Sequence, residues 1–256
     1  MKALVCSEFG STEDLELEER DNLEPGPGEV LIDVKAAGVN FPDILTIQGK
    51  YQFKPSLPFI PGTEVSGVVK KLGEGVTTRK VGDEVVGMVQ IGGFATQVVT
   101  SEFSTFSKSE NMSYEQAAGF AMTYGTSYYA LKQRAKIQPG ETLLVLGAAG
   151  GVGIASIQIA KAMGARVIAA ASSEDKLDFA CKAGADLRIN YSNENLKEKV
   201  KDLTKGKGAD VIYDPVGGDF SEQAFRAIAW DGRFLVIGFA SGPIPKMPLN
   251  LALLKG

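Results

Sequence analysis

The chain reads as an α/β protein in two folding units, a partly closed β-barrel of short strands followed by a doubly wound parallel sheet. Three observations carry that expectation. Up to about residue 110, short alternating or apolar runs are separated by glycine-bearing turns, the pattern of a small antiparallel barrel. From Thr142 onward, strand-like and helix-like runs alternate, the pattern of a parallel sheet with helical crossovers. The 256 residues, 44% of them hydrophobic, suffice for two modest cores. The boundary is placed so that residues 1–117 form the first unit and 118–256 the second.

In the first unit, Met1–Cys6 reads as a strand with Leu15–Glu18 as its partner. Asn22–Gly28 holds Pro25, Gly26, Pro27 and Gly28 and is a turn. Val30–Ala36 alternates as a strand with one wet face does. A short helix opens at Val39–Asp43, with Ile44, Leu45 and Ile47 expected inward. Lys50–Pro61, with its prolines and aromatics, is a structured loop. Thr63–Leu72, Val85–Val89 and Phe94–Thr100 are further strands. Ser113 and Gln116 form a capping-box pattern that starts a helix near Tyr114. Gly119 and Gly125 interrupt the helical stretch that follows, and a break is expected at Thr123–Thr126, exposing N–H groups and hydroxyls to a ligand or merely kinking the chain.

The second unit is organised around Thr142–Gly153, TLLVLGAAGGVG. Leu143–Leu146 is an apolar run of buried-strand length. It ends in a glycine turn and continues into a run with apolar residues at Val152, Ala155, Ile159, Ala160 and Met163, which is helical spacing. A helix that opens this way aims unpaired N–H groups and its positive dipole end at one spot, which suits a pyrophosphate. Gly150 lets the main chain approach phosphates and Gly153 lets helix and strand pack closely. The usual first glycine of this pattern is Ala148, and the alternative reading is a merely tight strand–helix turn.

Arg166–Ala171 is the next strand. A binder of NAD usually ends it with an acidic residue for the ribose hydroxyls. Here the place holds Ala170, Ala171, Ser172 and Ser173, with Lys176 nearby, a set that accepts a 2′-phosphate and favours NADP. Glu174 and Asp175 work against that charge balance. Ser172 also has a purely structural reading, as a helix cap with Asp175 as its capping-box partner. Further on come a helix at Ser173–Ala183, a strand at Leu187–Tyr191, an amphipathic helix at Asn195–Thr204, a strand at Asp210–Val216, a helix at Phe220–Trp230 and a strand at Arg233–Ala240. A sheet of this type normally has a sixth strand, and Leu249–Gly256 is where it would begin.

Composition removes several classes of chemistry. The sequence has no histidine, which excludes Ser-His-Asp and Cys-His catalysis and every zinc site that uses histidine. Two cysteines cannot build a four-cysteine site, and Cys6 and Cys181 fit buried thiols in a reducing, cytoplasmic setting. Acid–base work is left to tyrosine, lysine, carboxylates or water. A net charge of −4 advertises no nucleic-acid or anionic-membrane partner. Met1–Gly10 carries no export signal, and the uncharged run Leu143–Ala160 contains four glycines and divides into strand and helix, so it is read as core.

Five motifs give the chain a family resemblance: AAGVNFPDIL at Ala36–Leu45, PGTEVSGVV at Pro61–Val69, GDEVVG at Gly82–Gly87, GAAGGVG at Gly147–Gly153 and DPVGG at Asp214–Gly218. They resemble the medium-chain dehydrogenase/reductase superfamily and, within it, the zinc-free quinone oxidoreductases, the group of zeta-crystallin and quinone oxidoreductase-like proteins. Zinc-dependent members carry a histidine before the glutamate of the second motif, where this chain has Thr63 before Glu64. The resemblance implies a GroES-like catalytic unit and a Rossmann unit that binds NADPH, with no metal. It implies that Asn40 and Thr126 lie near the nicotinamide ribose and amide, that Gly150, Gly151 and Val152, with Gly153, cradle the pyrophosphate, and that Ser172, Lys176 and Tyr191 hold the 2′-phosphate. Gly238, Phe239 and Ala240 line the nicotinamide side. Tyr51 matches a tyrosine that positions the substrate oxygen or donates to it, and its alternative role is packing its own loop. Asn40, Thr126 and Tyr51 form the implied catalytic set.

The activity implied is hydride transfer from NADPH to quinones or other activated enones. The alternatives are a catalytically weak NADPH-binding or scaffold protein and an enoyl or 2-alkenal reductase. Family members continue past Gly256 to a last strand and a return into the first unit. The sequence therefore reads as truncated, with a homodimer expected when that segment is present.

Overall fold

The computed structural model describes all 256 residues, which divide into two compact units, Met1–Met122 and Thr123–Gly256, against the 117/118 boundary read from the sequence.

In the first unit, β1 (Lys2–Val5) pairs antiparallel with β2 (Glu16–Glu19) as a separate ribbon. The main sheet is antiparallel and contains β3 (Glu29–Gly38), β4 (Glu64–Leu72), β5 (Glu84–Met88), β6 (Gln97–Ser101) and β7 (Thr105–Ser107) in the spatial order β6-β3-β4-β5-β7. Its inner face buries Val30, Ile32, Val65, Val69, Val85 and Val98. Two expectations shift here. The strand expected from Phe94 begins only at Gln97, because Phe94 and Thr96 are occupied in bonds to Leu4 and Lys2 of β1. In α1 (Phe41–Ile47) the buried residues are Asp43, Thr46 and Ile47, whereas Ile44 and Leu45 are only half-buried. The inward face is thus partly polar, which a count of apolar residues cannot see.

The helix opened by Ser113 forms as expected: α2 (Tyr114–Ala118) starts with Gln116 N–H donating to Ser113 Oγ at 3.2 Å and Ser113 N–H donating to Gln116 Oε1 at 3.0 Å. The expected break at Thr123–Thr126 is absent. Helix α3 (Ala121–Tyr128) runs through Gly125 unbroken. The interruption falls before it, at Gly119–Phe120, and after it the chain widens into one π-helical stretch, Tyr129–Arg134. Ser127 Oγ reaches the Thr123 carbonyl at 2.8 Å, and the glycine at 125 meets open space, so nothing forces a kink there.

The second unit is a parallel sheet in the order β10-β9-β8-β11-β12, with β8 (Thr142–Leu146), β9 (Arg166–Ala171), β10 (Leu187–Asn190), β11 (Ala209–Asp214) and β12 (Ile228–Val236). The order reverses direction between β8 and β11, the switch point at which sheets of this kind hold ligands beyond the strand carboxyl ends. The crossover helices are α4 (Gly151–Ala162), α5 (Glu174–Lys182), α6 (Leu196–Leu203) and α7 (Asp219–Arg226). Apolar side chains cover both sheet faces, with Leu143, Val145, Val167, Ala169, Val211 and Tyr213 toward one side and Leu144, Leu146, Ile168, Ala170 and Ile212 toward the other. The run Leu143–Ala160 is accordingly strand plus helix, and no helix is long and apolar enough to cross a membrane.

The helix expected over Phe220–Trp230 stops at Arg226, and β12 starts five residues before the expected Arg233. The pairing with β11 jumps from Ala209↔Ile228 to Val211↔Arg233, so the residues between loop out, with Asp231 at φ 57°. Gly238, Phe239 and Ala240 therefore lie beyond the strand. Leu249–Leu253 forms a short helix, α8, at the place expected for the start of a sixth strand.

Candidate functional site

Two groups of residues emerge, one in each unit. The second unit's group sits beyond the carboxyl ends of the parallel strands. Gly147, directly after β8, has φ +57°, the left-handed region that a side chain resists. This explains why Ala148 is accepted in place of the first glycine: the turn's demand for glycine falls one residue earlier, and Ala148 simply donates its N–H to Ala170 O at 3.1 Å. A Cβ on Gly153 would stand 2.6 Å from Gly147 O and 2.8 Å from Ala148 O, so only glycine lets α4 pack this closely on the turn. The buried face of α4 is Gly153, Ala155, Ser156, Ile157 and Ala160, and Val152 and Ile159 are half-buried flanks rather than its centre.

Gly150 caps α4 without a side-chain bond, and its carbonyl accepts from Ile154 N–H at 2.8 Å. The N–H groups of Gly151, Val152 and Gly153 find no acceptor in the protein. Three free donors at the positive end of a 12-residue helix have the geometry to take up an anion's oxygens without any charged side chain.

Next to this turn is a cavity of about 490 Å³ lined by Gly147, Ala149, Gly150, Ala171, Asp175, Lys176, Phe179 and Tyr191. Lys176 and Tyr191, both singled out from the sequence, line it, and Ser172 is bonded to each of them. Lys176 Nζ donates to Ser172 Oγ at 2.9 Å. Burial pushes the Tyr191 phenol above its ordinary pKa, with a hydrogen bond to the Ser172 side chain opposing the shift, so Ser172 is shared by both neighbours. The Tyr191 ring also packs on Phe220, with centroids 4.3 Å apart. The capping role considered for Ser172 with Asp175 is not realised. The N-cap of α5 is Ser173, one residue later, and it too makes no side-chain cap bond, which leaves the Ser172 hydroxyl to Lys176 and Tyr191.

At the ends of the other strands, Asp214, only 2% exposed, gathers the DPVGG turn: Oδ1 accepts from Val216 N–H at 2.8 Å and Gly217 N–H at 2.9 Å, and Oδ2 accepts from Ser221 Oγ at 2.5 Å. Its main-chain carbonyl takes Ile237 N–H and Gly238 N–H, and Ala240 N–H bonds to Pro215 O, so Gly238, Phe239 and Ala240 fold over the end of β11. The motif is plain in the sequence, but the clamp is not. A buried acid just before a Pro-x-Gly-Gly turn was the available signal. Thr126 lies half-buried on α3. Its neighbour Ser127 reaches Val152 O at 3.1 Å and Tyr213 Oη at 2.8 Å, which ties α3 to α4 and β11.

In the first unit, Asn40 precedes α1, and its Nδ2 donates to Glu64 Oε2 at 3.1 Å. Asn40 N–H donates to Asp43 Oδ2 at 2.8 Å, and Thr63 Oγ1 donates to Asp43 Oδ1 at 3.1 Å. Both carboxyls are buried, Asp43 at 1% and Glu64 at 0% exposed, and burial pushes both above the ordinary carboxylate pKa. Periodicity gave no hint of this polar knot. Tyr51 lies in the loop after α1, 38% exposed, its N–H bonded to Leu45 O. Asn40 and Tyr51 thus attach to opposite ends of α1, and no hydrogen bond joins them. A cavity of about 620 Å³ beneath the loop is lined by Phe53, Pro55, Phe59 and Ile60 among others, and by none of the expected site residues. No group of three or more His, Cys, Asp or Glu side chains is arranged to hold a metal ion.

Residues 26–141 match the family model of the alcohol dehydrogenase GroES-like domain, and residues 151–256 match that of the zinc-binding dehydrogenase. The quinone oxidoreductase-like protein 2 homolog of Nematostella vectensis is 44% identical over 257 residues, which covers 99% of this chain and 70% of that protein. Among solved structures, Escherichia coli quinone oxidoreductase complexed with NADPH superposes with a TM-score of 0.92 at 34% identity, covering all of this chain and 78% of that one. The CurK enoyl reductase superposes with a TM-score of 0.89 at 32% identity, covering 99% of this chain and 77% of that one. With this identity carried over nearly its whole length, the chain belongs to the quinone oxidoreductase family of the medium-chain dehydrogenase/reductase superfamily.

Proposed function

We propose that the protein is an NADPH-dependent, zinc-independent reductase that transfers a hydride to quinones or other activated enones. The observation that carries this reading is an unpartnered N–H cradle at Gly151, Val152 and Gly153 that directly follows Gly150, a residue lining the same cavity as Lys176 and Tyr191, with Ser172 bonded to Lys176. The residues present fit the cofactor. The cradle suits a pyrophosphate, and the end of β9 offers alanines and a serine where a carboxylate would repel a 2′-phosphate. Asp175 lines the same cavity and tempers the positive charge of Lys176. The NADPH-bound relative supports the same assignment.

When bound, NADPH supplies the hydride, and the protein supplies alignment and electrostatics. Gly151–Gly153 fix the diphosphate, and Gly238–Ala240, held over β11 by Asp214 and Pro215, are proposed to line the nicotinamide. Thr126 in the second unit and Asn40 in the first are proposed as contacts to the nicotinamide amide and ribose. Tyr51 is proposed to meet the substrate oxygen as charge builds on it. The position that holds a histidine in zinc-dependent members is Thr63, which donates to Asp43, so an acceptor that is already electron-poor suits this chain better than a plain alcohol or ketone.

The test is NADPH oxidation followed by nucleotide absorbance against a panel of quinones, 2-alkenals and enoyl thioesters. Acceptor-dependent oxidation by quinones supports the main reading. Turnover confined to enals or enoyl thioesters would favour the second reading, for which the CurK likeness speaks. Tight NADPH binding with no turnover on any acceptor would leave a nucleotide-binding or scaffold protein.

A further inference from the structure

Two acidic residues open α5, and by sequence both stand against a phosphate at this place. Their surroundings differ. Asp175 lines the cavity beside Lys176. Glu174 lines another cavity, of about 500 Å³, together with Arg188 and Asn190. Glu174 Oε1 accepts from Asn190 Nδ2 at 2.7 Å. Its Oε2 lies 3.8 Å from Arg188 Nη1, which makes its closer bond, at 2.7 Å, to Asp178. An exposed ion pair that long holds little, so Asn190 is the principal anchor of the Glu174 carboxylate.

The Asn190 amide is fixed at both ends. Its Oδ1 accepts from Ser192 N–H at 3.2 Å, which leaves the NH₂ end for Glu174, and an ionised carboxylate only accepts. The residue is buried, and its own N–H donates to Glu194 Oε2 at 2.9 Å. Tyr191 N–H donates to Ala171 O at 3.1 Å and Ser192 Oγ to Ser172 O at 2.9 Å, so the same three residues also hold the end of β9.

Charge decides where Glu174 would go without that anchor. Ser173 gives α5 no side-chain cap, and the N–H groups of Glu174, Asp175 and Lys176 find no acceptor in the protein. These amides at the positive helix end, and the Lys176 ammonium, attract a free carboxylate. They are also the groups that favour a phosphate here. A released Glu174 is therefore an internal competitor for the 2′-phosphate.

We propose that Asn190 is a positioning residue for cofactor specificity: it holds the Glu174 carboxylate away from Lys176 and the first-turn amides of α5, and so leaves them to the 2′-phosphate of NADPH. The inference rests on the reading of the cavity beside Lys176 as the seat of that phosphate.

The test measures Kd for NADPH and for NADH by fluorescence titration of Asn190→Ala, Glu174→Gln and the double variant Asn190→Ala/Glu174→Gln. Asn190→Ala should weaken NADPH about fivefold and leave NADH within about twofold. Glu174→Gln alone keeps an oxygen for Asn190 Nδ2 and should move neither Kd by more than about twofold. In the double variant the anchor is still missing but the competing charge is gone, and NADPH binding should return to within about twofold of the unaltered protein. An Asn190 that merely braces the loop would weaken NADPH equally in Asn190→Ala and in the double variant, which would overturn the proposal. Unchanged NADPH binding by Asn190→Ala, or equal weakening of both nucleotides, would overturn it too. Should Asn190→Ala fail to fold, the exposed Glu174 decides. Glu174→Asp, one methylene too short for Asn190, should weaken NADPH as Asn190→Ala would, and Glu174→Ala, which loses anchor and charge together, should not. Unchanged binding by Glu174→Asp, or equal weakening by both, would overturn the positioning role. An unaltered protein with no preference for NADPH over NADH would instead overturn the reading of the cavity itself.

Discussion

Gly153 and Gly147 lie so close that a methyl group on the first would stand 2.6 Å from the carbonyl oxygen of the second. Gly153→Ala should therefore open the turn between β8 and α4, costing about 1–3 kcal/mol as overpacking does, and remove NADPH binding. Gly150→Ala, whose Cβ would sit 3.3 Å from the same oxygen, should fold with a smaller loss. Urea denaturation of the two variants checks the order, and equal stability of both with the unaltered protein would contradict the packing argument.

The bond from Lys176 to Ser172 should give the second unit its preference for a phosphorylated ribose. Lys176→Ala is expected to weaken NADPH by roughly 10-fold or more, the range of a charge-assisted hydrogen bond, and to leave NADH within about twofold. Lys176→Glu should widen the gap. Fluorescence titration with both nucleotides reads it directly, and equal weakening of the two would assign Lys176 a general structural role.

Ser127 and Tyr213 hold each other 2.8 Å apart in the core, both at 0% exposure. Burial pushes the Tyr213 phenol up to about 12, so it stays protonated at neutral pH and can donate to Ser127. Ser127→Ala leaves that hydroxyl buried and unpaired, at a cost of about 1–3 kcal/mol. Tyr213→Phe, which removes the stranded group, should partly restore stability when added to Ser127→Ala. A double-mutant cycle by chemical denaturation measures the coupling, and simple additivity would mean that the pair does not act as one.

Glu141 and Arg233 form a two-pronged ion pair, with Nη1 to Oε1 at 2.9 Å and Nη2 to Oε2 at 2.6 Å. The guanidinium holds the Glu141 carboxyl below its ordinary value of 4.5. A carboxyl with a lowered folded pKa contributes stability above about pH 4.5 and loses it as the pH falls through the folded value. The stability difference between the unaltered protein and Glu141→Gln should therefore be largest near neutral pH and shrink below pH 4.5. A difference that grew on acidification would reverse the assignment.

What the sequence made legible is what local chemistry dictates. Gly147–Gly153 could be read because turn, cap and close packing each demand glycine within one short stretch, and Ser113–Gln116 because a capping box is complete within four residues. The end of β9 was readable for what it lacks, a carboxylate. Hidden was whatever long-range packing decides. The burial of Asp43 depends on Thr63 and Asn40 closing around it, a long-range contact that the pattern of the short helix does not announce. The cap of α5 moved from Ser172 to Ser173, a choice that adjacent serines cannot announce. β12 begins early because a loop-out at Ala229–Gly232 lets Ile228 pair with Ala209, and nothing in Phe220–Trp230 signals that register jump.

The central claim is that the free amides of α4 and the side chains around Ser172 together bind NADPH. The direct measurement is a titration of the unaltered protein with NADPH and with NADH, followed by nucleotide fluorescence and by the shift in melting temperature. The account predicts saturable NADPH binding that raises the melting point, with affinity about tenfold or more above that for NADH. No binding of either nucleotide, or equal binding of both, would contradict it.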